Sequence, residues 1–370
     1  MTLSRRSLLL ASAMALALPR ALRAAEPART GQDRDDLVGK LTYIMTTEAT
    51  ILHDVARERD LGILELSAAN PGVDPWIPGP ERLITLPTEY ILPDAPREGI
   101  VVNLAELRLF FYPPGGAPVE THPIGIGREG LETPIGSTKI VRKAENPTWY
   151  PTEGKRQQDP TLPASVPPGP DNPLGAHALY LGWPTYLMHG THKPYGVGRR
   201  VSRGCMRMYP EDVADLFGKV KVGTRVTTVN QPVKLGWRGG ELFIEAHPDL
   251  AQLDELETTY GFTLKPAPDM RDAIVAAAGT EAPRIAWDVV EAELVTRRGY
   301  PVQITVPLAP GVAEVPAPPA EPGTLALSEP TPEVARPAPV ALERSAPAVE
   351  FAPEPVPLGD RAPKAPSGLY

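Results

Sequence analysis

Between residues 99 and 229, short runs of strand-forming residues are separated by turns rich in glycine and proline. This alternation constrains the fold more than any other feature of the 370-residue chain. The clearest runs cover residues 100–104 and 108–112, and a Pro-Pro-Gly-Gly turn follows the second. One helix is evident after Pro210, with an apolar face that should pack beneath the preceding loop. The pattern predicts a mainly β domain over residues 98–230, built as an antiparallel sandwich or barrel.

Other segments surround this domain or extend from it. Residues 41–88 have the pattern of a small α+β unit, with strands at 41–45 and 82–86, helices near 50–59 and 62–69, and a turn at 70–72. Residues 231–306 begin as a two-stranded ribbon and continue as helices near 253–260, 271–278 and 285–297. Residues 31–41 are expected to be a loose linker, and residues 148–171 either a lid or a disordered excursion. Residues 311–370 contain fourteen prolines, which predicts a disordered tail.

The first 25 residues have the pattern of an export signal peptide. Arg5 and Arg6 precede an apolar run at residues 8–18, which is too short to span a bilayer comfortably, and small residues follow up to Ala25. The paired arginines fit the twin-arginine route, and the general secretory (Sec) route fits nearly as well. The sequence therefore predicts a periplasmic protein that is not transmembrane after signal cleavage. Its net charge of −8 argues against a nucleic-acid partner.

Cys205 is the only cysteine of the chain. An exported protein with one cysteine cannot form an internal disulfide, so the thiol is either a small buried hydrophobic group or a reactive one. A thiol with an ordinary pKa of about 8.5 needs a base or a positive field to react at neutral pH. His189, sixteen residues earlier, is the candidate base. The positive field would come from Arg199, Arg200, Arg203 and Arg207.

This segment resembles the active-site signature of the L,D-transpeptidases, the cysteine enzymes that cross-link bacterial cell walls. The signature consists of a His-Gly pair, a spacer, Ser-X-Gly-Cys, and an arginine two places later. The corresponding residues here are His189-Gly190, Ser202-Arg203-Gly204-Cys205 and Arg207. Many members carry histidine where this chain has Arg203, which leaves His189 as the implied general base. The likeness extends over residues 98–248.

The resemblance implies a reaction and a role for each residue. Cys205 would attack a carbonyl in a peptidoglycan tetrapeptide stem, release terminal D-alanine, and pass the acyl group to an amine. That amine would belong to another stem or to a protein such as an envelope lipoprotein. The supporting residues are Gly204 and Ser202 for the loop and the oxyanion, and Arg203, Arg207 and Gly190 for substrate binding. An L,D-carboxypeptidase or hydrolase on the same scaffold and a non-catalytic wall-binding protein remain alternatives.

Residues 41–88 resemble LysM, a module that binds peptidoglycan. The likeness depends on residues 63–66 and 69–73, whereas residues 47–50 depart from the LysM pattern at the first helix. The resemblance implies that this unit binds glycan, and the alternative is a structural cap without affinity for sugar.

The remaining histidines give weaker signals. His192 is a candidate substrate contact, and His247 is expected to stabilise the terminal ribbon. No grouping of His, Cys, Asp and Glu along the sequence has metal-ligand spacing. The sequence therefore predicts neither a metal nor a cofactor.

Overall fold

The computed structural model describes residues 35–306. The predicted export signal and proline-rich tail lie outside the described residues. Across residues 35–306, no helix is both long and apolar enough to cross a membrane.

The N-terminal unit contains the predicted strand, helix, helix and strand. Its elements are β1 (Leu37–Gly39), β2 (Thr42–Met45), α1 (Leu52–Glu58), α2 (Ile63–Ala69), β3 (Leu83–Leu86) and β4 (Glu89–Ile91). β2 pairs antiparallel with β3, and β1 with β4. The expectation of a loose linker over residues 31–41 is wrong at β1. A strand that pairs with a distant segment is set by that partner, so its own sequence gives little signal.

Asn70 fixes the end of α2 to the strand that follows. The buried amide nitrogen of Asn70 donates 2.8 Å hydrogen bonds to the carbonyl oxygens of Leu66 and Thr85. The amide oxygen of Asn70 accepts from the Thr85 N–H at 2.8 Å. One side chain therefore satisfies groups at both the helix end and the strand, which explains why the predicted turn occurs here.

The central domain is organised around one eight-stranded sheet. Its elements are β5 (Gly99–Asn103), β6 (Arg108–Tyr112), β7 (Glu120–Pro123), β8 (Ile126–Gly127), β9 (Gly136–Glu145), α3 (Glu153–Gln158), β10 (His177–Leu181), β11 (Leu187–His189), β12 (Arg200–Ser202), β13 (Met206–Arg207), α4 (Pro210–Lys219) and β14 (Arg225–Val229). The strand order is β13-β11-β10-β9-β14-β5-β6-β7, and β8 pairs separately with β12. The mainly β prediction is confirmed.

The expectation of a purely antiparallel arrangement is wrong. The pairs β5–β14, β11–β13 and β8–β12 are parallel. Parallel neighbours need long connections. The connection from β5 to β14 ends with α4, and the connection from β11 to β13 is the loop after β11. Two of these parallel pairs involve the loop that carries Cys205, so the departure from hairpin topology coincides with the candidate site.

Helix α4 begins at Pro210, as the sequence predicts. Proline is favourable at the first helical position because its fixed φ suits the helix and its missing N–H has no partner there anyway. Val213 and Leu216 are buried, and the helix packs against β10. The helix thus supports the strands that carry the candidate base.

The C-terminal segment contains the predicted ribbon and three helices. Its elements are β15 (Val233–Arg238), β16 (Glu241–Ala246), α5 (Leu250–Thr259), α6 (Arg271–Ala278), α7 (Trp287–Thr296) and β17 (Val302–Gln303). β15 and β16 form an antiparallel hairpin, and β17 adds to β16. Ile244, Ile274 and Leu294 belong to a second hydrophobic core between the hairpin and the helices.

A buried charged network joins this hairpin to the rest of the fold. The Lys234 Nζ lies 2.7 Å from a Glu106 carboxylate oxygen and 2.9 Å from a Glu245 carboxylate oxygen, and it donates to the Ile91 carbonyl at 2.6 Å. His247 Nε2 lies 2.8 Å from the same Glu245 oxygen. The expected role of His247 in the terminal ribbon is confirmed. Because buried charges need partners, this network holds β4, β15, β16 and the β5–β6 turn together.

The N-terminal unit and the central sheet share one hydrophobic core. It includes Leu52, Leu61 and Leu66 from the unit and Ile100 and Phe110 from the sheet. All five side chains are fully buried. Removing the unit would therefore expose an apolar face of the sheet.

Candidate active site

Two short parallel strands bring the candidate base and the cysteine onto one face. In the pairing of β11 with β13, Met188 lies opposite Met206 and His189 lies opposite Arg207. Both methionines are fully buried. Since side chains alternate along a strand, His189 and Arg207 lie on the other face, together with Cys205, which directly precedes β13.

His189 is held in one tautomer by its neighbour. Its buried ring places Nδ1 2.5 Å from the Gly190 carbonyl oxygen. A carbonyl oxygen can only accept, so Nδ1 carries the proton and Nε2 presents a lone pair. Burial and the positive charge of Arg207 lower the pKa of His189 to about 4, although the Gly190 carbonyl acts in the opposite direction. At neutral pH the imidazole is therefore neutral and able to accept a proton.

Cys205 is half-buried, and its thiol donates to the Thr185 carbonyl oxygen at 3.5 Å. Burial raises the pKa of the thiol, while the Leu187 backbone and Arg207 act to lower it. The resting pair is a neutral thiol and a neutral imidazole. Proton transfer must then accompany attack on the substrate, because a stable thiolate is not present beforehand.

Thr185 is a site residue that sequence reasoning missed. It follows Pro184 in the turn before β11 and has a φ of 71°, the left-handed region that glycine normally fills. A non-glycine residue such as Thr185 is strained in this region, and the strain costs conformational free energy. This conformation orients the carbonyl that contacts Cys205, and the Pro-Thr pair alone gives no indication of it.

The loop around Cys205 is fixed by Ser202. The buried hydroxyl of Ser202 donates to the Cys205 carbonyl at 2.5 Å and accepts from the Gly204 N–H at 3.0 Å. Its predicted role in supporting the loop agrees with these contacts. The Gly204 N–H was expected to face an oxyanion, and this expectation is corrected because the N–H is bound to Ser202.

Gly204 is required for its backbone conformation. Its φ is 99°, and a Cβ added there would lie 2.6 Å from the ring of Tyr186. Its carbonyl accepts from the hydroxyl of the buried Thr133 at 2.9 Å, and the same hydroxyl accepts from the Gly127 N–H at 3.2 Å. Thr133 belongs to the Thr-Pro-Ile-Gly stretch within the region of likeness, so that stretch supports the cysteine loop from the opposite side.

Gly190 has no open face toward a substrate. It is buried, and its N–H donates to the His177 carbonyl at 3.1 Å. A Cβ at this position would approach Val213 to 3.2 Å. Its expected contact with substrate is therefore replaced by a positioning role, since its carbonyl orients His189.

The arginines near Cys205 divide into two groups. Arg199 forms an ion pair with Glu257, and Arg200 lies 2.9 Å from Asp254, so both attach the loop to α5. The expectation that these two supply the positive field at the thiol is therefore corrected. Arg207 faces the site and is partly buried. Arg203 is half-buried in the same loop.

Lys155 adds a further cation that the sequence did not reveal. Burial lowers the pKa of Lys155, and the charges of Arg207 and Arg203 lower it further, which places these cations near one another. Lys155 lies on α3, within the excursion at residues 148–171. The excursion is closed by an antiparallel bridge between Trp149 and Val166. The helix and this bridge are at odds with the disordered interpretation of the excursion, and the lid interpretation stays a prediction.

Three groups of residues within the described range could hold a metal, and none of them includes Cys205 or His189. The candidate catalytic face is thus made of a thiol, an imidazole and arginine, a donor set for acyl transfer through a covalent thioester.

Comparisons with known proteins agree with this chemistry. The sequence model of the YkuD family, described as the L,D-transpeptidase catalytic domain, matches residues 97–228. The chain is 39% identical over 305 residues to the "Probable L,D-transpeptidase YcfS" of Escherichia coli K12, covering 80% of this chain and 92% of that protein. It is 44% identical over 228 residues to the "Probable L,D-transpeptidase YbiS" of the same strain, covering 59% and 74%. A solved catalytic domain of an E. faecium L,D-transpeptidase is 24% identical, with a TM-score of 0.29, covering 37% of this chain and 100% of that chain.

The fold and the cysteine-histidine face define a cysteine acyltransferase site. The chain belongs to the L,D-transpeptidase family, as the similarity to the two E. coli proteins shows. The predicted family is therefore confirmed for the central domain. The resemblance of residues 41–88 to LysM stays a prediction.

Proposed function

We propose that Cys205 forms a thioester with a peptidoglycan tetrapeptide stem. His189 Nε2 takes the thiol proton as Sγ attacks the carbonyl of the L,D peptide bond, and it returns that proton to the leaving D-alanine amine. An acceptor amine then attacks the thioester, His189 takes the amine proton, and Sγ leaves and is reprotonated. The observation that carries this proposal is the bond from His189 Nδ1 to the Gly190 carbonyl, which leaves Nε2 free to exchange the proton.

The cations around the thiol suit the donor stem. Stem peptides carry free carboxylates, and guanidinium groups bind carboxylates in a bidentate manner. Arg203 and Arg207 are the donor-binding residues in this proposal, and Lys155 supplies a third charge from the excursion. Their combined field also favours the thiolate that develops during attack.

Product analysis tests the reaction and identifies the acceptor. The mature protein is incubated with soluble tetrapeptide, and intact mass and product mass are followed, with Cys205→Ser as the control. A D-alanine loss accompanied by an acyl adduct on the wild type, absent from the control, supports the thioester. Cross-linked dimers indicate a stem amine, lipoprotein adducts indicate a protein lysine, and free tripeptide indicates water and hence a carboxypeptidase. Unchanged tetrapeptide and no adduct would contradict the proposal and favour a non-catalytic protein.

We further propose that the N-terminal unit contributes to glycan binding, in keeping with its resemblance to LysM. A cleft of about 170 Å³ lies between this unit and the loop after β11, with His53 and Tyr195 among its lining residues. The rings of His53 and Trp76 are 4.0 Å apart, and those of Trp76 and Tyr195 are 5.9 Å apart. Trp76 and Tyr195 are 44% and 45% exposed, so their faces are available for the apolar face of a sugar ring.

Sacculus pull-down tests this second proposal. Trp76→Ala and Tyr195→Ala are expected to weaken binding to intact sacculi and to leave turnover of a small soluble tetrapeptide nearly unchanged. Tyr43→Ala is the matched control, because Tyr43 is an exposed aromatic residue of the same unit that does not line the cleft and is not among the ring contacts of His53, Trp76 and Tyr195. Equal binding by all three variants and the wild type would indicate that the unit is a structural cap without affinity for sugar.

Both proposals require export. The signal pattern at residues 1–25 and the wall substrate together support a periplasmic location. Cell fractionation of the full chain, with Arg5→Lys and Arg6→Lys combined, tests the route. Retention of the variant in the cytoplasm indicates the twin-arginine pathway, whereas normal export indicates the general secretory pathway.

A further inference from the structure

His122 is a buried histidine that the proposed reaction does not use. Its side chain, on β7, is only 10% exposed. Its Nδ1 lies 3.3 Å from a carboxylate oxygen of Asp60, in the turn between α1 and α2, and 3.6 Å from a carboxylate oxygen of Asp212, in the first turn of α4. Both ring nitrogens of His122 are buried and have no hydrogen-bond partner. Oδ1 of Asp60 and Oδ2 of Asp212 are likewise buried without one.

The spacing of these atoms matches a metal site better than a hydrogen-bonded triad. Hydrogen bonds from nitrogen to oxygen typically measure about 2.7–3.2 Å, and both separations from His122 exceed this range. Zinc binds nitrogen and oxygen ligands at about 2.0–2.1 Å, which gives a tetrahedral edge of about 3.3–3.4 Å. One donor atom from each residue lies within 4.8 Å of the other two. The three side chains therefore leave room for an ion among them.

The other two groups of potential ligands are already neutralised by lysine. Lys234 Nζ occupies the group of Glu106, Glu245 and His247. In the group of Glu120, His122 and Asp215, both carboxylates pair with Lys219. Within residues 35–306, neither the Asp60 nor the Asp212 carboxylate has a lysine or arginine ion pair. Arg108 approaches Asp60, but it donates to the Asp60 backbone carbonyl and forms its ion pair with Glu65.

We propose that Asp60, His122 and Asp212 bind one zinc ion, with the fourth position open to water. One imidazole and two carboxylates at this spacing suit zinc, whereas calcium and magnesium prefer more ligands, all of them oxygen. The three residues come from the N-terminal unit, the central sheet and α4. The ion would therefore join the N-terminal unit to the domain that carries Cys205.

The ligands lie 60 and more positions apart in sequence, which is why no ligand spacing is visible in the chain itself.

Metal titration of the full mature chain tests the proposal. The chain is used without an affinity tag and in a Cys205→Ser background, which removes the only thiol. Titration with zinc is expected to give one equivalent bound and a raised thermal midpoint. Cobalt in place of zinc should give the strong visible absorption of tetrahedral coordination. Both signals should be lost in His122→Gln and in Asp212→Asn.

His247→Gln is the matched control, since it alters the lysine-filled group and should keep the zinc stoichiometry. Near-ultraviolet circular dichroism establishes whether each variant is folded. If His122→Gln does not fold, the isosteric Asp212→Asn still tests the loss of zinc binding. No zinc bound by the folded parent chain would overturn the proposal and leave a triad of side chains without a metal. Equal zinc binding by the parent and by folded His122→Gln or Asp212→Asn would also overturn it.

Discussion

His189 and Arg207 are direct partners across the two parallel strands of the active site. The guanidinium of Arg207 lowers the pKa of His189 and acts in the same direction on the thiol of Cys205. Both effects favour the deprotonated form of the group, because the first keeps the base neutral and the second favours the thiolate. Arg207 therefore adjusts both members of the proton-transfer pair at once.

The first prediction concerns the pH dependence of acylation. Since the pKa of His189 is about 4, the imidazole stays neutral until the pH falls toward that value. A histidine with the ordinary pKa of about 6.5 would be about 97% protonated at pH 5 and would lose its activity there. We expect the acylation rate with a neutral thiol-directed acylating probe to stay nearly constant between pH 8 and pH 5.

Variants of Arg207 test whether its charge contributes to the low pKa of His189. Arg207→Gln removes one of the two causes that lower the pKa of His189, so its acid limb should move to higher pH. Arg207→Lys keeps the charge and should leave the limb near its wild-type position. A wild-type rate that already falls about eightfold between pH 7 and pH 5.5, as an unshifted histidine with a pKa of about 6.5 requires, would contradict the neutral-base assignment.

The second prediction concerns the nucleophile. Cys205→Ser and Cys205→Ala should abolish turnover, because neither side chain can form the thioester. Both should remain folded with thermal midpoints within a few degrees of the wild type, since Cys205 is half-buried and outside both hydrophobic cores. A much lower midpoint in Cys205→Ala would instead favour the buried-hydrophobe interpretation of this cysteine.

The third prediction separates the two histidines of the site. His189→Ala should slow acylation by about 10²–10⁴-fold, the usual effect of removing a general base. His192→Ala is the internal control, because His192 is more exposed and belongs to the same loop, and its effect should be small. Rapid-mixing measurements of adduct formation give both rates. Similar losses in the two variants would mean that both rings act on the proton.

The candidate catalytic residues could be predicted from the sequence because their chemistry is unusual in context. A single cysteine in an exported chain, a histidine and nearby arginines limit the interpretations to a few. The contacts that orient them were less accessible. The Gly204 N–H proved to be bound by Ser202, and Thr185 contacts the thiol through its backbone, which side-chain patterns do not encode.

The fold shows a similar division between local and distant information. Helices α4 and α6 were predicted closely, because their apolar periodicity and, for α4, the proline at its start are local signals. Strand β1 and the parallel pairs were not, since each depends on a partner far along the chain. The grouping of Asp60, His122 and Asp212 belongs to the same class, as only the folded chain brings these residues together.

The last prediction tests how the N-terminal unit is attached. Arg108 is 1% exposed, lies 2.8 Å from the Glu65 carboxylate of α2, and stacks over the Tyr90 ring at 4.2 Å. Arg108→Met leaves the Glu65 carboxylate buried without a counter-charge, which should cost about 3–5 kcal/mol of unfolding free energy. Arg57 also crosses to the central domain, pairing with Glu211 at 2.7 Å, but its side chain is 45% exposed. Arg57→Met should therefore cost less than about 1 kcal/mol.

Denaturant unfolding of the two methionine variants measures this difference directly. Because the unit and the sheet share one core, deleting residues 41–88 would expose buried apolar surface of the catalytic domain and would not isolate glycan affinity. The point variants avoid that ambiguity, since each removes the polar contacts of one arginine and leaves the apolar core intact. Equal losses for Arg108→Met and Arg57→Met would show that the buried ion pair is not what holds the N-terminal unit against the sheet.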